Sequence, residues 1–93
     1  MHTIETFLDD KGRIKQLPSR GKPRSAVLEY LATKFSSDKD YTEKEVNAII
    51  DNWHTFGDYF LLRRELIDYQ FLCRTRDGAR YWKEKDDYGS INL

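Results

Sequence analysis

Apolar residues recur at helical spacing in three stretches of this chain, and the pattern changes after the third. Ala26, Val27, Tyr30, Leu31, Lys34 and Phe35 fall on one helical face, with Lys34 offering its aliphatic stem. Val46, Ile49, Ile50 and Trp53 repeat the one-face pattern. In the third stretch Tyr59, Leu62, Leu66 and Tyr69 share a face, and Phe60 and Ile67 lie further round. Residues 71–76 and 79–83 then flank Asp77-Gly78, a dipeptide that favours a tight hairpin turn. Ahead of all these, Ile4, Phe7 and Leu8 predict a short turn of helix. The pattern predicts three helices and a hairpin.

The punctuation agrees with the periodicity. Asp10-Lys11-Gly12 is a turn signal, and Pro23 suits a first helical turn, where its missing N–H is not needed. Thr42-Glu43-Lys44-Glu45 has the form of a capping box, flanked by Tyr41 and Val46 at hydrophobic-staple positions. Asp58 is placed to cap the third helix, and Gln70 falls just past its end, where Gly is favoured. If Asp77-Gly78 is a type I′ loop, Arg76 faces Ala79, Thr75 faces Arg80, Arg74 faces Tyr81 and Cys73 faces Trp82. Residues 13–17 read as a short extended segment, expected to pair with the hairpin as a third strand. The fold expected is α+β: a winged helix-turn-helix with three main helices, a C-terminal β-hairpin wing and a short N-terminal strand. One domain is expected over residues 1–93, ordered from about 4 to 84, with 85–93 as a tail.

Charge changes this picture by its distribution. Sixteen basic and sixteen acidic residues give a formal net charge of zero. Nucleic-acid binders are usually basic overall, so strong nonspecific binding is disfavoured. Yet Lys11, Arg13, Lys15, Arg20, Lys22 and Arg24 form a basic run, residues 36–68 are acidic on balance, and the hairpin carries Arg74, Arg76, Arg80 and Lys83. Cys73 is the one cysteine, so no intrachain disulfide can form. No apolar run has the length of a membrane span, and the first residues lack the pattern of a signal peptide. A cytoplasmic protein with no membrane association is expected.

The candidate chemistry lies in the arginines. Arg64 points away from the core stripe of the third helix and Arg63 lies at its edge. Arginines so placed can enter a DNA groove and pair with guanine. The bland alternative is pairing with Glu65, Asp68 or the acidic second helix. Arg74, Arg76 and Arg80 could reach phosphate from the hairpin, or could simply protect an edge strand by charge. Lys22 and Arg24 could hold a phosphate near the start of the first helix, or be solvated. The capping reading accounts for Thr42, Glu43 and Glu45, and Asn47 reads as a structural hydrogen bonder. Trp53 and Trp82 read as packing residues. His2, His54 and Cys73 lack metal-ligand spacing, and no phosphate loop, nucleophile elbow or carboxylate pair is present. Neither an enzyme nor a cofactor is expected.

The residues also resemble a known family, the bacterial domain of unknown function 2087. The resemblance rests on Phe7-Leu8, Gly12-Arg13-Ile14, Leu17-Pro18, Val27-Leu28, Tyr30-Leu31 and Phe35. It continues through Tyr41-Thr42-Glu43, Glu45-Val46-Asn47, Asp58 and Leu62-Arg63-Arg64-Glu65-Leu66-Ile67-Asp68, and ends with Leu72, Arg74, Gly78 and Tyr81. The Tyr-Thr-Glu-x-Glu-Val-Asn and Leu-Arg-Arg-Glu-Leu blocks together make it specific. It implies a winged-helix-like domain, found alone or in transcriptional regulators. The chain departs from the family pattern at Gln70, where Gly is common, and in the bulky Tyr59-Phe60-Leu61 segment. Two functions follow as expectations. The first is a regulator module that binds double-stranded DNA, helped by a homodimer or a protein partner. The second is a winged-helix interaction module without DNA binding, which would use Phe60, Leu61 or Trp82.

Overall fold

The computed structural model describes residues 4–84. A 3-10 turn over Glu5–Phe7 leads to α1 (Gly21–Ala32), β1 (Asp40–Tyr41), α2 (Glu43–Asn52), α3 (Tyr59–Asp68), β2 (Cys73–Arg74) and β3 (Tyr81–Trp82). The architecture is α+β, three helices with a small antiparallel sheet in the order β1-β3-β2. The tail expected over 85–93 lies outside the described residues. Among those described, no helix is long and apolar enough to cross a membrane.

Local chemistry sets the helix ends. The Glu45 N–H donates to Thr42 Oγ1 at 3.1 Å, and the Thr42 N–H donates to the Glu45 carboxylate at 2.8 Å, completing the capping box at α2. Tyr41 and Val46, the staple pair, are both buried. Asp58 caps α3 by accepting the Leu61 N–H at 3.1 Å. At the other end of α3, Gln70 takes a φ of 67°. There the Phe71 N–H donates to the Leu66 carbonyl and the Gln70 N–H to the Ile67 carbonyl, both at 2.9 Å. These two bonds form a Schellman closure, which requires a left-handed residue, so Gln stands where Gly would be unstrained.

The hairpin register is the one the sequence predicts: Cys73 opposes Trp82 and Arg74 opposes Tyr81. The turn itself differs. A type I′ loop needs positive φ at both central residues, and only Gly78 has it, at 75°. Asp77 instead uses its carboxylate to accept the Thr75 hydroxyl at 2.8 Å and the Ala79 N–H at 3.0 Å. The loop closes with the Gly78 N–H on the Thr75 carbonyl at 3.0 Å, a four-residue reversal in the same register.

The expected N-terminal strand is also corrected. Residues 13–17 do not pair with the hairpin. The Ile14 N–H donates to the Trp53 carbonyl at 2.7 Å, the Thr55 N–H donates to the Ile14 carbonyl at 2.9 Å, and the Lys15 N–H donates to the Phe7 carbonyl at 2.8 Å. The segment ties the N-terminal turn to the end of α2, and Ile14 is fully buried there. The third strand is β1, whose Tyr41 opposes Tyr81. Two residues are too few for alternation to announce a strand, and Tyr41 is held there by packing edge-on to Phe35 at 5.3 Å.

The core gathers Ile14, Val27, Leu28, Leu31, Phe35, Tyr41, Val46, Ile50, Leu62, Leu66, Leu72 and Tyr81. The stripe expected on α3 is narrower than its periodicity. Leu62 and Leu66 are fully buried, whereas Tyr59 and Tyr69 remain 39% and 37% exposed. Both tyrosines sit at the ends of the helix, Tyr59 beside Arg63 and Tyr69 stacked on Phe71. Lys34 covers the side of the core, its ammonium 3.9 Å from the Trp53 ring and 4.5 Å from that of Tyr30.

Candidate functional site

Because Leu62 and Leu66 turn inward, the opposite side of α3 presents Phe60, Arg63, Arg64, Ile67 and Asp68, spaced as a second helical stripe. With Arg74 and Tyr81 of the hairpin and Glu43 of α2, these residues line an open cleft of about 340 Å³. The cleft joins α3 to the first strand of the hairpin. It contains three guanidinium groups, two carboxylates and the apolar side chains of Phe60 and Ile67.

The arginines divide by their partners. Arg63 is tied down: it donates to Asn47 Oδ1 and lies 3.5 Å from the Glu43 carboxylate, with 13% of its side chain exposed. Asn47 is thus the structural hydrogen bonder expected, and it joins α2 to α3. The Arg63 guanidinium also sits 5.2 Å from the Phe60 ring centre. Glu43 further accepts the Tyr81 hydroxyl at 3.3 Å, joining α2 to β3. That second use of Glu43 could not be read from the capping pattern. Arg64 is different. It is 67% exposed and lies 3.9 Å from Asp68, a loose ion pair on the same helix.

On the hairpin, Arg74 borders the cleft close to Gly78, where an added Cβ would come within 3.2 Å of Arg74 Nη1. Arg76 is exposed at the turn and has no partner among the described residues. Arg80 is turned to the other edge of the sheet, 3.1 Å from Asp40. The carboxyl of Asp77 beside them is held below the ordinary carboxylate range by the Ala79 N–H and the Thr75 hydroxyl. The Cys73 thiol is pushed up by burial and by the neighbouring Glu84 carboxylate.

The basic connector is not brought to this cleft. Arg24 lies 2.9 Å from Glu65 in α3 and donates to the Pro18 carbonyl at 2.7 Å, so its guanidinium is spent inside the molecule. Lys22 is exposed in the first turn of α1. His54 is buried between Ile50 and Asp58. Among the described residues, no three His, Cys, Asp or Glu side chains converge on a point that could hold a metal ion.

A family model described as an uncharacterized protein conserved in bacteria matches residues 13–83. No curated protein and no solved structure gives a match.

Proposed function

We propose, on the premise that the chain belongs to the uncharacterised bacterial family DUF2087, that it is a winged helix-turn-helix module that binds duplex DNA in transcription control. The element order supports this reading. A short strand between α1 and α2 pairs with the second strand of a hairpin that follows α3 directly. In that arrangement α3 is the recognition helix and the hairpin is the wing. One observation carries the proposal: Arg64 of α3 and Arg74 of the hairpin border the same open cleft.

The roles divide by partner. Arg64 is the groove contact, since its bond to Asp68 is long and solvated. Arg74 and Arg76 meet phosphate; Lys22, in the first turn of α1 away from the cleft, and Arg80, paired with Asp40 at the far edge of the sheet, take no part in the contact. Arg63 supports the site by holding α3 against α2, and Arg24 does the same between α1 and α3. Zero net charge and the two carboxylates in the cleft point to modest affinity for one copy, so a dimer or protein partner would strengthen binding. Titrating labelled duplex DNA at two salt concentrations tests the proposal. Binding should tighten at low salt, where the release of counterions from the phosphates by the arginines is more favourable. Absence of binding by the folded protein at low salt rejects it.

A second reading, a winged-helix module for protein contact, is favoured by the exposed Phe56, Tyr59, Phe60 and Tyr69. Sedimentation over a concentration range separates the two. Self-association without DNA binding selects the second.

A further inference from the structure

Phe60 is the most exposed large apolar side chain among the described residues, at 57%. It is the second residue of α3, one helical turn before Arg64 and two before Ile67. The residue bordering it is fixed: Arg63 lies 5.2 Å from the ring while bonded to Asn47 and near Glu43. The tethered guanidinium limits the ring on that side, and the rest of its surface is open to a ligand. Its surroundings then choose among ligands. Arg64 and Arg74 border the same cleft and Arg76 stands at the hairpin tip, so an occupant must be anionic at its edges and apolar at one point.

Duplex DNA offers only one such group in the major groove, the 5-methyl of thymine. The first turn of a recognition helix is also the part that approaches base edges. We infer that Phe60 is a specificity residue that packs on a thymine methyl while Arg64, Arg74 and Arg76 engage the neighbouring phosphates and base edges. This rests on the DNA-binding reading and adds to it the base that is chosen. Asp68 and Glu43 keep the cleft from being uniformly basic, which disfavours contact by charge alone and leaves more of the selection to shape.

The test uses the full chain and a pool of random duplexes. Enriched duplexes should share a thymine at one position. Replacing that thymine by deoxyuridine keeps the base pair and removes only the methyl. Affinity should fall about fourfold, the worth of burying one methyl-sized group. In Phe60→Ala, which should melt as the parent does because the ring is exposed, the thymine and deoxyuridine duplexes should bind equally. Arg64→Ala should weaken both duplexes and preserve their ratio. Equal binding of the two duplexes by the parent protein overturns the inference and leaves the DNA-binding reading standing. A fourfold ratio that persists in Phe60→Ala overturns the assignment to Phe60. A dimer that Phe60→Ala dissolves overturns it too, because the ring would then be covered by a second copy. Failure to bind any duplex at low salt overturns the underlying reading together with the inference.

Discussion

Arg24, near the start of α1, places its guanidinium 2.9 Å from the carboxylate of Glu65, in the middle of α3. The pair is largely buried, with 17% and 15% of the two side chains exposed, and the Pro18 carbonyl accepts a further bond from the arginine. The partners lie forty-one positions apart in the sequence. The contact sets the position of α3 against α1 and removes one cation from the basic connector.

Breaking this pair on one side should be costly. Arg24→Ala leaves the Glu65 carboxylate poorly solvated and unpaired, and should lower unfolding stability by about 3 kcal/mol. Arg24→Met combined with Glu65→Leu should recover most of the loss, because no isolated charge remains. Urea unfolding of the single and double variants measures both. A loss below about 0.5 kcal/mol for Arg24→Ala would class the pair with ordinary surface ion pairs.

His54 should be a second point of sensitivity. Its Nδ1 lies 2.8 Å from the Ile50 carbonyl, which can only accept, and its Nε2 lies 2.9 Å from the Asp58 N–H, which can only donate. The ring is therefore a neutral imidazole with its proton on Nδ1, spanning the turn between α2 and α3. Nitrogen chemical shifts should show that tautomer. His54→Ala should cost about 2–4 kcal/mol, through an unsatisfied Asp58 N–H and a cavity. A melting temperature equal to the parent's would refute this.

Gln70 is the one non-glycine residue with positive φ among those described, at 67°. Gln70→Gly should stabilise the protein by about 1 kcal/mol, because glycine enters the left-handed region without the side-chain penalty. Chemical denaturation of the variant checks the sign. No change, or a loss, would mean that the Gln70 side chain contributes more than its backbone strain removes.

Acid should weaken the protein through two aspartates, the half-buried Asp9 and the exposed Asp77. Burial is the largest single influence on the Asp9 carboxyl and raises it, but the Arg13 and Lys11 N–H groups and the Arg13 guanidinium together outweigh it and hold the carboxyl below its ordinary range. Asp77 is lowered by the Ala79 N–H and the Thr75 hydroxyl. A carboxyl lowered in the folded state contributes stability that is present above its unfolded value and is lost as pH falls through the folded one. Asp9→Asn and Asp77→Asn should each flatten the loss of melting temperature below about pH 4, where unfolded carboxylates begin to protonate. An unchanged slope in both would refute the assignment.

The hairpin offers a test of phosphate contact. Arg74→Ala and Arg76→Ala should each reduce the slope of log affinity against log salt by about 1, with unchanged melting. Arg63→Ala should behave differently, lowering stability together with affinity, since it removes a bond between α2 and α3. Equal effects of all three on melting would deny the division between tethered and available arginines.

Much of this molecule is written in short-range patterns. The capping box of Thr42 and Glu45, the cap at Asp58, the awkward Gln70 and the register of Arg74 against Tyr81 all depend on residues within a few positions or across one tight turn. Backbone bonding and helical periodicity act at that range, so the sequence alone determined three helices, the caps that start the second and third, and the hairpin register, whereas α1 ends at Ala32, before the Lys34 and Phe35 that its periodicity included. The roles of the charged residues were not determined in this way. A guanidinium has no periodic signature, and its partner is whichever carboxylate the fold brings near. Arg24 and Arg63 were drawn inward by Glu65, Glu43 and Asn47, while Arg64, Arg74 and Arg76 were left at the cleft and hairpin tip. The same holds for β1, too short to show alternation, and for the Ile14 segment, whose bonds go to α2 and the N-terminal turn. Tertiary contact alone decided these, because desolvation and ion pairing depend on distance in space and not on separation along the chain.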